Sequence, residues 1–361
     1  MNFESKTILT PEDVKPTKKG FRVRGILNPA AVRLKNNKIM LYARIAETPF
    51  HGKKEFLAPR FSGEKKLKWT IEKIPRHGNE LRPDCFIVDS DVYRLPTISH
   101  FRKVILSEDG FDVQKVNTKP DFFGLKNDGD FGVEDPRITF LKKEKRYLMT
   151  YVSVSMNSGV STSLATSKNL TNWKREGLIF RQQNKDVVIF PEKINGYYVA
   201  LHRPEGNMIF DKPSIWISYS KDLVFWGKEK PLLKPRCSGW DSLRIGPGAI
   251  PIKTNEGWLE IYHGVTLENP KDNESPKIYT TGALLFDLKN PEKIIARTPT
   301  RKPLFGVDLK SESKGFISNV VFSTAIIPTL DKKNVLIYGG ASDSSTTVRK
   351  INLNQILNSL K

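Results

Sequence analysis

The segment Gly132-Val133-Glu134-Asp135-Pro136-Arg137-Ile138-Thr139-Phe140 carries residues whose types and order could do chemistry. Two acids, a proline and an arginine stand directly before an apolar run of strand type. Proline cannot donate to a β-ladder and belongs at the first residue or the edge of a strand. Asp135 is therefore expected just outside a strand mouth, on rigid backbone. A carboxylate held there beside a guanidinium can be given an unusual pKa and used for chemistry. The plain alternative is a surface Asp–Arg pair. What favours chemistry is that similar units recur along the chain.

The elements that must position these residues are strands. Short runs rich in Val, Ile, Tyr, Phe and Trp are cut by Gly, Pro, Asn and Asp. One weak helix is expected, at the C-terminal end over Val348 to Leu360. Stacking the strands shows a repeated unit: an apolar strand, a polar turn, then a second apolar strand. The units begin at Asn28-Pro29, Glu134-Asp135, Val188-Ile189, Gly246-Pro247 and Asn319-Val320. In two of them the pattern Ser-Lys-Asn/Asp-Leu-x-x-Trp follows, ending in Trp173 and in Trp226, 53 residues apart. Leu284 to Leu288 is a looser third copy. The polar pair suits a hairpin tip, and the tryptophan suits packing between neighbouring sheets. Five such meanders predict an all-β fold, a five-bladed β-propeller with a short C-terminal helix. It is expected as a single catalytic domain over 1–361, with loop insertions within about 46–130. A β-sandwich is the competing architecture. In a propeller, equivalent residues of each unit converge on the channel mouth. Here these are Asn28, Arg44, Asp135, Arg137, Glu192, His202, Arg203, Arg244, His263 and Asp343, a set suited to a sugar and an anion rather than a dinucleotide.

Composition narrows the function classes. The chain has 361 residues, 59 Lys and Arg against 39 Asp and Glu, and a net charge of +20. Such a charge can signal nucleic acid or acidic small ligands such as phosphate. The lysines are scattered singly and in short runs, and no finger, RNP-like strand or long basic helix is present, so no nucleic-acid partner is expected. No run approaches the roughly 18 apolar residues that span a bilayer, so no membrane partner is expected. The N-terminus lacks the basic start and apolar core of a secretory signal. Two cysteines, Cys85 and Cys237, give neither a disulfide framework nor metal spacing. A cytoplasmic location and no metal are the expectations. Oligomeric state, a homo-oligomer included, is left open.

Several motifs together resemble glycoside hydrolase family 130. They are Gly132 to Thr139, Phe190-Pro191-Glu192-Lys193-Ile194, His202-Arg203-Pro204, Trp240-Asp241 through Gly248, Trp258 to Gly264 and Ala296 to Pro299. The resemblance runs from about Asn28 to Asp343. It implies a five-bladed propeller and activity on β-mannosides, mostly phosphorolysis and in a minority of members inverting hydrolysis. The stretch Asn184 to Pro204 is most similar to members acting on β-1,2-linked mannosides. The resemblance implies that Asp135 is the general acid, protonating the glycosidic oxygen through the 3-hydroxyl of the mannose in subsite −1. It implies that Asn28, Arg44 and Asp343 grip that mannose. Arg203, Arg244 and His263 would form a cationic wall for phosphate, a co-substrate rather than a cofactor. Arg137, Glu192, Lys193, His202, Asp241 and Tyr262 complete the candidate substrate contacts. One departure stands out. Where many phosphorylases of the family carry an arginine, this chain reads Ser153-Val154-Ser155-Met156-Asn157-Ser158.

The expected activity is that of an inverting β-1,2-mannoside phosphorylase, with β-mannooligosaccharide and phosphate, or mannose 1-phosphate, as partners. Hydrolysis is the alternative, because an inverting hydrolase needs a second carboxylate to activate water and Glu192 is available. A non-catalytic carbohydrate-binding propeller is the further alternative. Blander roles remain for single residues: Glu192 as a solvated turn acid, His202 as a satisfied core histidine, Asp241 as a turn residue and Tyr262 as core.

Overall fold

The computed structural model describes residues 2–77, 80, 81, 85–88, 92–181, 183–206 and 211–361. Five four-stranded antiparallel sheets follow one another along the chain as the blades of a β-propeller. Blade one comprises Phe21–Arg33, Ile39–Pro49, Ile98–Leu106 and Val113–Val116, and blade two Gly132–Leu141, Arg146–Ser155, Gly159–Ser167 and Lys174–Phe180. Blade three runs through Asn184–Ile189, Tyr198–Pro204, Ile215–Ser220 and Trp226–Leu233. Blade four contains Arg244–Pro247, Trp258–Leu267, Lys277–Phe286 and Ile294–Arg297, with the short Ile252–Lys253 pairing on Trp258–Leu267. Blade five has only three strands from its own stretch, Val321–Pro328, Asn334–Ala341 and Ser345–Asn352. Its outermost strand is Phe3–Leu9, pairing antiparallel with Phe3 opposite Ile351 and Thr7 opposite Thr347. The ring is thus closed by a strand from the opposite end of the sequence.

The inner strands read as continuous apolar runs because both faces of each blade are covered. Successive side chains of a strand point to opposite faces. Met149 accordingly packs against blade one with Tyr42 and Phe101, while its neighbour Leu148 packs against blade three with Ile189 and Ala200. The same alternation sets Leu201 against blade four, and Ile261 against blade five with Ile337. Blade one meets blade five through Ile26, Leu41, Leu336 and Val348. Each of the five blade-to-blade interfaces therefore has its own core, as a closed ring requires.

The hairpin motif behaves as its composition suggests. Asn169 Oδ1 accepts from the N–H groups of Thr171 and Asn172 at 3.0 and 2.9 Å, and Asp222 Oδ1 accepts from Val224 and Phe225 at 2.9 Å each. Asp287 makes the same turn with Lys289 and Asn290. Trp173 reaches across to blade one, donating from Nε1 to Tyr42 Oη at 3.0 Å. Trp226 packs on Phe180 of blade two.

The C-terminal helix is shorter than expected. Residues 348–352 belong to the strand Ser345–Asn352, where Val348 and Ile351 are needed by the interblade cores. The helix is Leu353–Ser359, capped by Asn352, whose side chain accepts from Gln355 N–H. It lays Ile356 and Leu357 on the core between blades four and five. A second short helix, Lys310–Ser313, has no periodic signal in the sequence. The main insertion lies inside blade one, between Ile39–Pro49 and Ile98–Leu106, and includes the hairpin Glu55–Phe61 and Trp69–Pro75. It leaves blade one at the end that carries Arg44. Among the described residues no helix is long and apolar enough to cross a membrane.

Candidate active site

Three first strands share one backbone device. The pairing register shifts between Leu27 and Ala30, between Glu134 and Arg137, and between Lys185 and Val188. Each β-bulge holds an Asx residue at positive φ: Asn28 at 45°, Asp135 at 48° and Asp186 at 59°. Asn and Asp tolerate the left-handed region better than other side chains, and bulges re-aim a side chain at the cost of a ladder position. Pro29 and Pro136 fit because a bulge needs no ladder N–H there. Asp343 reaches the same mouth from a tight turn after Ala341, with φ of 49° and Ser344 N–H bonded back to Ala341 at 2.9 Å. Backbone held in this region is costly, and such strain gathers at functional sites.

These devices surround a cavity of about 530 Å³ at one mouth of the channel, lined by Asn28, Arg44, Glu134, Asp135, Lys185, Asp186, Arg203, Arg244, His263, Lys277, Tyr279 and Asp343 among others. One wall is acidic around a single guanidinium. Arg44 donates from Nη1 to Asp135 Oδ1 at 3.0 Å, from Nη2 to Glu134 Oε1 at 2.6 Å and from Nε to Ser99 Oγ at 3.1 Å. Asn28 Nδ2 donates to the same Asp135 oxygen at 2.8 Å. Both hydrogen bonds thus converge on Oδ1, leaving Oδ2 to the cavity. Burial pushes Asp343 up to about 6, with Arg44 opposing and Asp135 and Glu134 reinforcing the shift.

The other wall is cationic, with carboxylates threaded through it. Arg203 donates from Nε to Asp186 Oδ2 at 2.7 Å. Glu205 bridges two arginines, accepting from Arg203 Nη1 on one oxygen and pairing with Arg244 Nη2 at 2.7 Å on the other. His263 Nε2 lies 3.8 Å from Asp186 Oδ2, and its ring packs on Phe322. Burial raises the pKa of Asp186, but Arg203, His263, Arg137 and Lys185 outweigh it and hold the carboxyl well below the usual carboxylate range. Gly246 makes room for the pair behind it. A Cβ there would stand 2.4 Å from His263 Cε1 and 2.8 Å from Arg203 Cδ.

The structure brings together Asn28, Arg44, Asp135, Arg203, Arg244, His263 and Asp343. One detail of that set needs correction. Burial pushes His263 down to about 3, so it is a neutral imidazole near pH 7 and adds no cation. Six other expectations fall elsewhere. Arg137 lies beneath the floor, donating to the backbone oxygens of Gly248 at 2.6 Å and Asp135 at 2.9 Å. It braces the bulge and does not line the cavity. Glu192 and Lys193 sit at the opposite end of blade three, because the strand runs from the site at Asp186 down to Ile189 before they appear. Glu192 pairs with Lys253 at 2.6 Å and Lys193 lies over the Tyr198 ring. His202 faces the interblade core, stacked on Phe180 and hydrogen-bonded to Ser218 Oγ at 2.8 Å, and burial pushes it down to about 3. Its neighbour Arg203 faces the channel by strand alternation. Asp241 and Tyr262 form a buried cluster in which Asp241 Oδ2 accepts from Tyr262 Oη, Arg236 and Arg297 at 2.8, 2.7 and 2.6 Å.

The residues that sequence reasoning missed are Lys185, Asp186, Glu205, Lys277 and Tyr279. For Asp186 a signal existed: it occupies the place in its unit that Asn28 and Asp135 occupy in theirs. A further cavity of about 560 Å³ opens at the opposite mouth, mainly apolar, with Ile138, Phe140, Ile252 and Ile327 in its wall. It offers no comparable set of acids and arginines.

A five-bladed propeller whose mouth sets an acid cluster against an arginine wall defines a class of carbohydrate-active enzyme. The chain belongs to glycoside hydrolase family 130: the family model described as β-1,4-mannooligosaccharide phosphorylase matches residues 93–361. It is 34% identical to a β-1,2-mannobiose phosphorylase of Listeria innocua, across 99% of this chain and 98% of the relative. It is 37% identical to a 1,2-β-oligomannan phosphorylase of a Thermoanaerobacter species, across 70% of this chain and 78% of the relative. Among solved structures, the Listeria innocua β-1,2-mannobiose phosphorylase in complex with β-1,2-mannobiose superposes with a TM-score of 0.87 at 32% identity, covering 100% of this chain and 99% of that one.

Proposed function

We propose that this protein is an inverting β-1,2-mannoside phosphorylase, converting a β-1,2-linked mannooligosaccharide and inorganic phosphate into mannose 1-phosphate and the shortened sugar, and reversing that reaction. The carrying observation is the opposition of the two walls. Asn28, Arg44, Asp135 and Asp343 offer hydrogen bonds and a protonable group to one sugar. Arg203, Arg244, Lys185 and Lys277 offer positive charge to an anion across the same cavity. Lys185 and Lys277 supply charge that Ser153 to Ser158 does not.

The mechanism follows from this arrangement. A phosphate oxygen attacks the anomeric carbon from the arginine side, and the glycosidic C–O bond breaks on the opposite side, which inverts the centre. The departing oxygen takes a proton that originates on Asp135 and passes through the 3-hydroxyl of the bound mannose. The proton carried in by hydrogen phosphate restores the acid as the product ester ionises, so atoms and charge balance. Arginine suits the anion because its fork gives charge-assisted, bidentate contacts. Phosphate is a co-substrate, and no cofactor is called on.

Hydrolysis would need a carboxylate free to activate water. Glu192 is at the far mouth, and Asp186 and Glu205 are tied to arginines that weaken them as bases. The whole chain acts as one catalytic propeller, its ring closed by Phe3–Leu9. The low cysteine content suits a cytoplasmic setting. The deciding experiment incubates the enzyme with β-1,2-mannobiose with and without phosphate. Mannose 1-phosphate forming only with phosphate is expected; release of two mannoses at full rate without it refutes the assignment.

A further inference from the structure

Asp186 is a carboxylate placed where an anion is to be held. It lines the cavity beside Lys185, Arg203, Arg244 and His263, yet its side chain is 99% buried. One oxygen, Oδ2, is taken by Arg203 Nε at 2.7 Å. The other, Oδ1, accepts no hydrogen bond among the described residues; Arg137 Nη2 stands 4.0 Å from it, itself without a hydrogen-bond partner there. A bulge at positive φ delivers this side chain to the mouth just as it delivers Asp135. Burial opposes ionisation, but Arg203, Arg137 and Lys185 around it outweigh burial and keep the carboxyl ionised. Glu205 differs, because both its oxygens are engaged by Arg203 and Arg244.

A fixed carboxylate repels a fully ionised anion and is an acceptor only. An oxyanion that carries its own proton reverses the sign, since P–OH donates to the carboxylate. Hydrogen phosphate has such a proton near neutral pH, and sulfate has none. Building the unfavourable contact against the wrong ligand is a recognised route to specificity. Resting on the phosphorylase assignment, we propose that Asp186 is the anion-selectivity residue of the site: its Oδ1 accepts the P–OH hydrogen of hydrogen phosphate, so the wall takes protonated tetrahedral oxyanions and rejects sulfate. Arsenate, which also carries a proton, belongs with phosphate.

Two arms test this. In the wild-type enzyme, arsenate should replace phosphate in consuming β-1,2-mannobiose, while sulfate should compete with phosphate at least tenfold more weakly than phosphate itself binds. Sulfate competing as tightly as phosphate overturns the proposal without any variant. In the second arm, calorimetric titration compares phosphate and sulfate on the wild type and on Asp186→Asn. The amide keeps an oxygen for Arg203 and presents N–H groups to the cavity, so the sulfate-to-phosphate affinity ratio should rise at least tenfold. If Asp186 only positions Arg203, both anions weaken by the same factor and the ratio stays constant, which overturns the proposal. Failure of the phosphorylase assignment looks different: the wild type would cleave mannobiose without phosphate and bind neither anion.

Discussion

Asp343 offers a test in which stability and activity move in opposite directions. Its pKa is pushed from the ordinary 3.8 up to about 6, first by burial and then by Asp135 and Glu134, with Arg44 only partly offsetting them. A raised carboxyl stabilises the fold while protonated, and that contribution is lost as pH rises from the unfolded value through the folded one. Between pH 4 and 6 the folded chain binds the extra proton, so stability falls with rising pH. A shift of roughly two units corresponds to about 3 kcal/mol at pH 7. Asp343→Asn removes the ionisation and keeps the shape, and asparagine accepts the positive φ at this turn. Arg44 retains Glu134 and Asp135. The variant should therefore be more stable than the wild type by about 3 kcal/mol at pH 7, with the gain shrinking below about 1 kcal/mol at pH 4. For a chain of 361 residues that is a rise in Tm of roughly 4 °C. Denaturant titrations at both pH values, alongside phosphorolysis rates, provide the assay, and activity should fall because the mannose side of the cavity loses a carboxylate that accepts from the sugar hydroxyls, while Asp135 keeps its proton. A variant no more stable than wild type at pH 7, or equally stabilised at both pH values, refutes the reasoning.

Arg244→Gln should raise the KM for phosphate by about 10- to 100-fold, the worth of one charge-assisted hydrogen bond, while the KM for mannobiose changes far less. Initial rates over a phosphate series check this, and an unchanged phosphate KM removes Arg244 from the anion wall. Glu192→Gln should leave kcat and both KM values within about twofold, because an exposed Glu–Lys pair contributes at most about 1 kcal/mol and Glu192 lies at the wrong mouth. A loss of turnover beyond tenfold would return it to the mechanism.

The blades were legible because a strand covered on both faces must be apolar nearly throughout, and the polar turns between such runs repeat. Phe3–Leu9 carries no continuous apolar run, because its burial alternates with Glu4 and Lys6 exposed, as befits an outermost strand. The helix predicted over Val348 to Leu360 reaches too far because Val348 and Ile351 fit a helical period as well as a strand that feeds two cores. In the site, Asn28, Asp135 and Asp343 could be found as Asx residues at unit boundaries. Arg203 stood out before Pro204, but nothing in the sequence said that its neighbour His202 faces the other way. Glu192 reads as a site residue because a position just past a strand looks alike at either end. Glu205, Lys185 and Lys277 had no motif, since what matters is which side chains the closed ring sets face to face.

The strand Phe3–Leu9 also dictates an order of events during synthesis. Blades two, three and four are made of neighbouring segments and can assemble as each leaves the ribosome. Blade five cannot finish until the chain's two ends meet. Closing a loop of roughly 350 residues costs about 5 kcal/mol of chain entropy, and until then Ser345–Asn352 presents an unpaired edge of the kind that recruits other chains. Ring closure is thus the late step in the birth of this enzyme, racing against concentration-dependent association between chains, and changes to Phe3–Leu9 should be felt in the yield of folded protein before they are felt at the cavity.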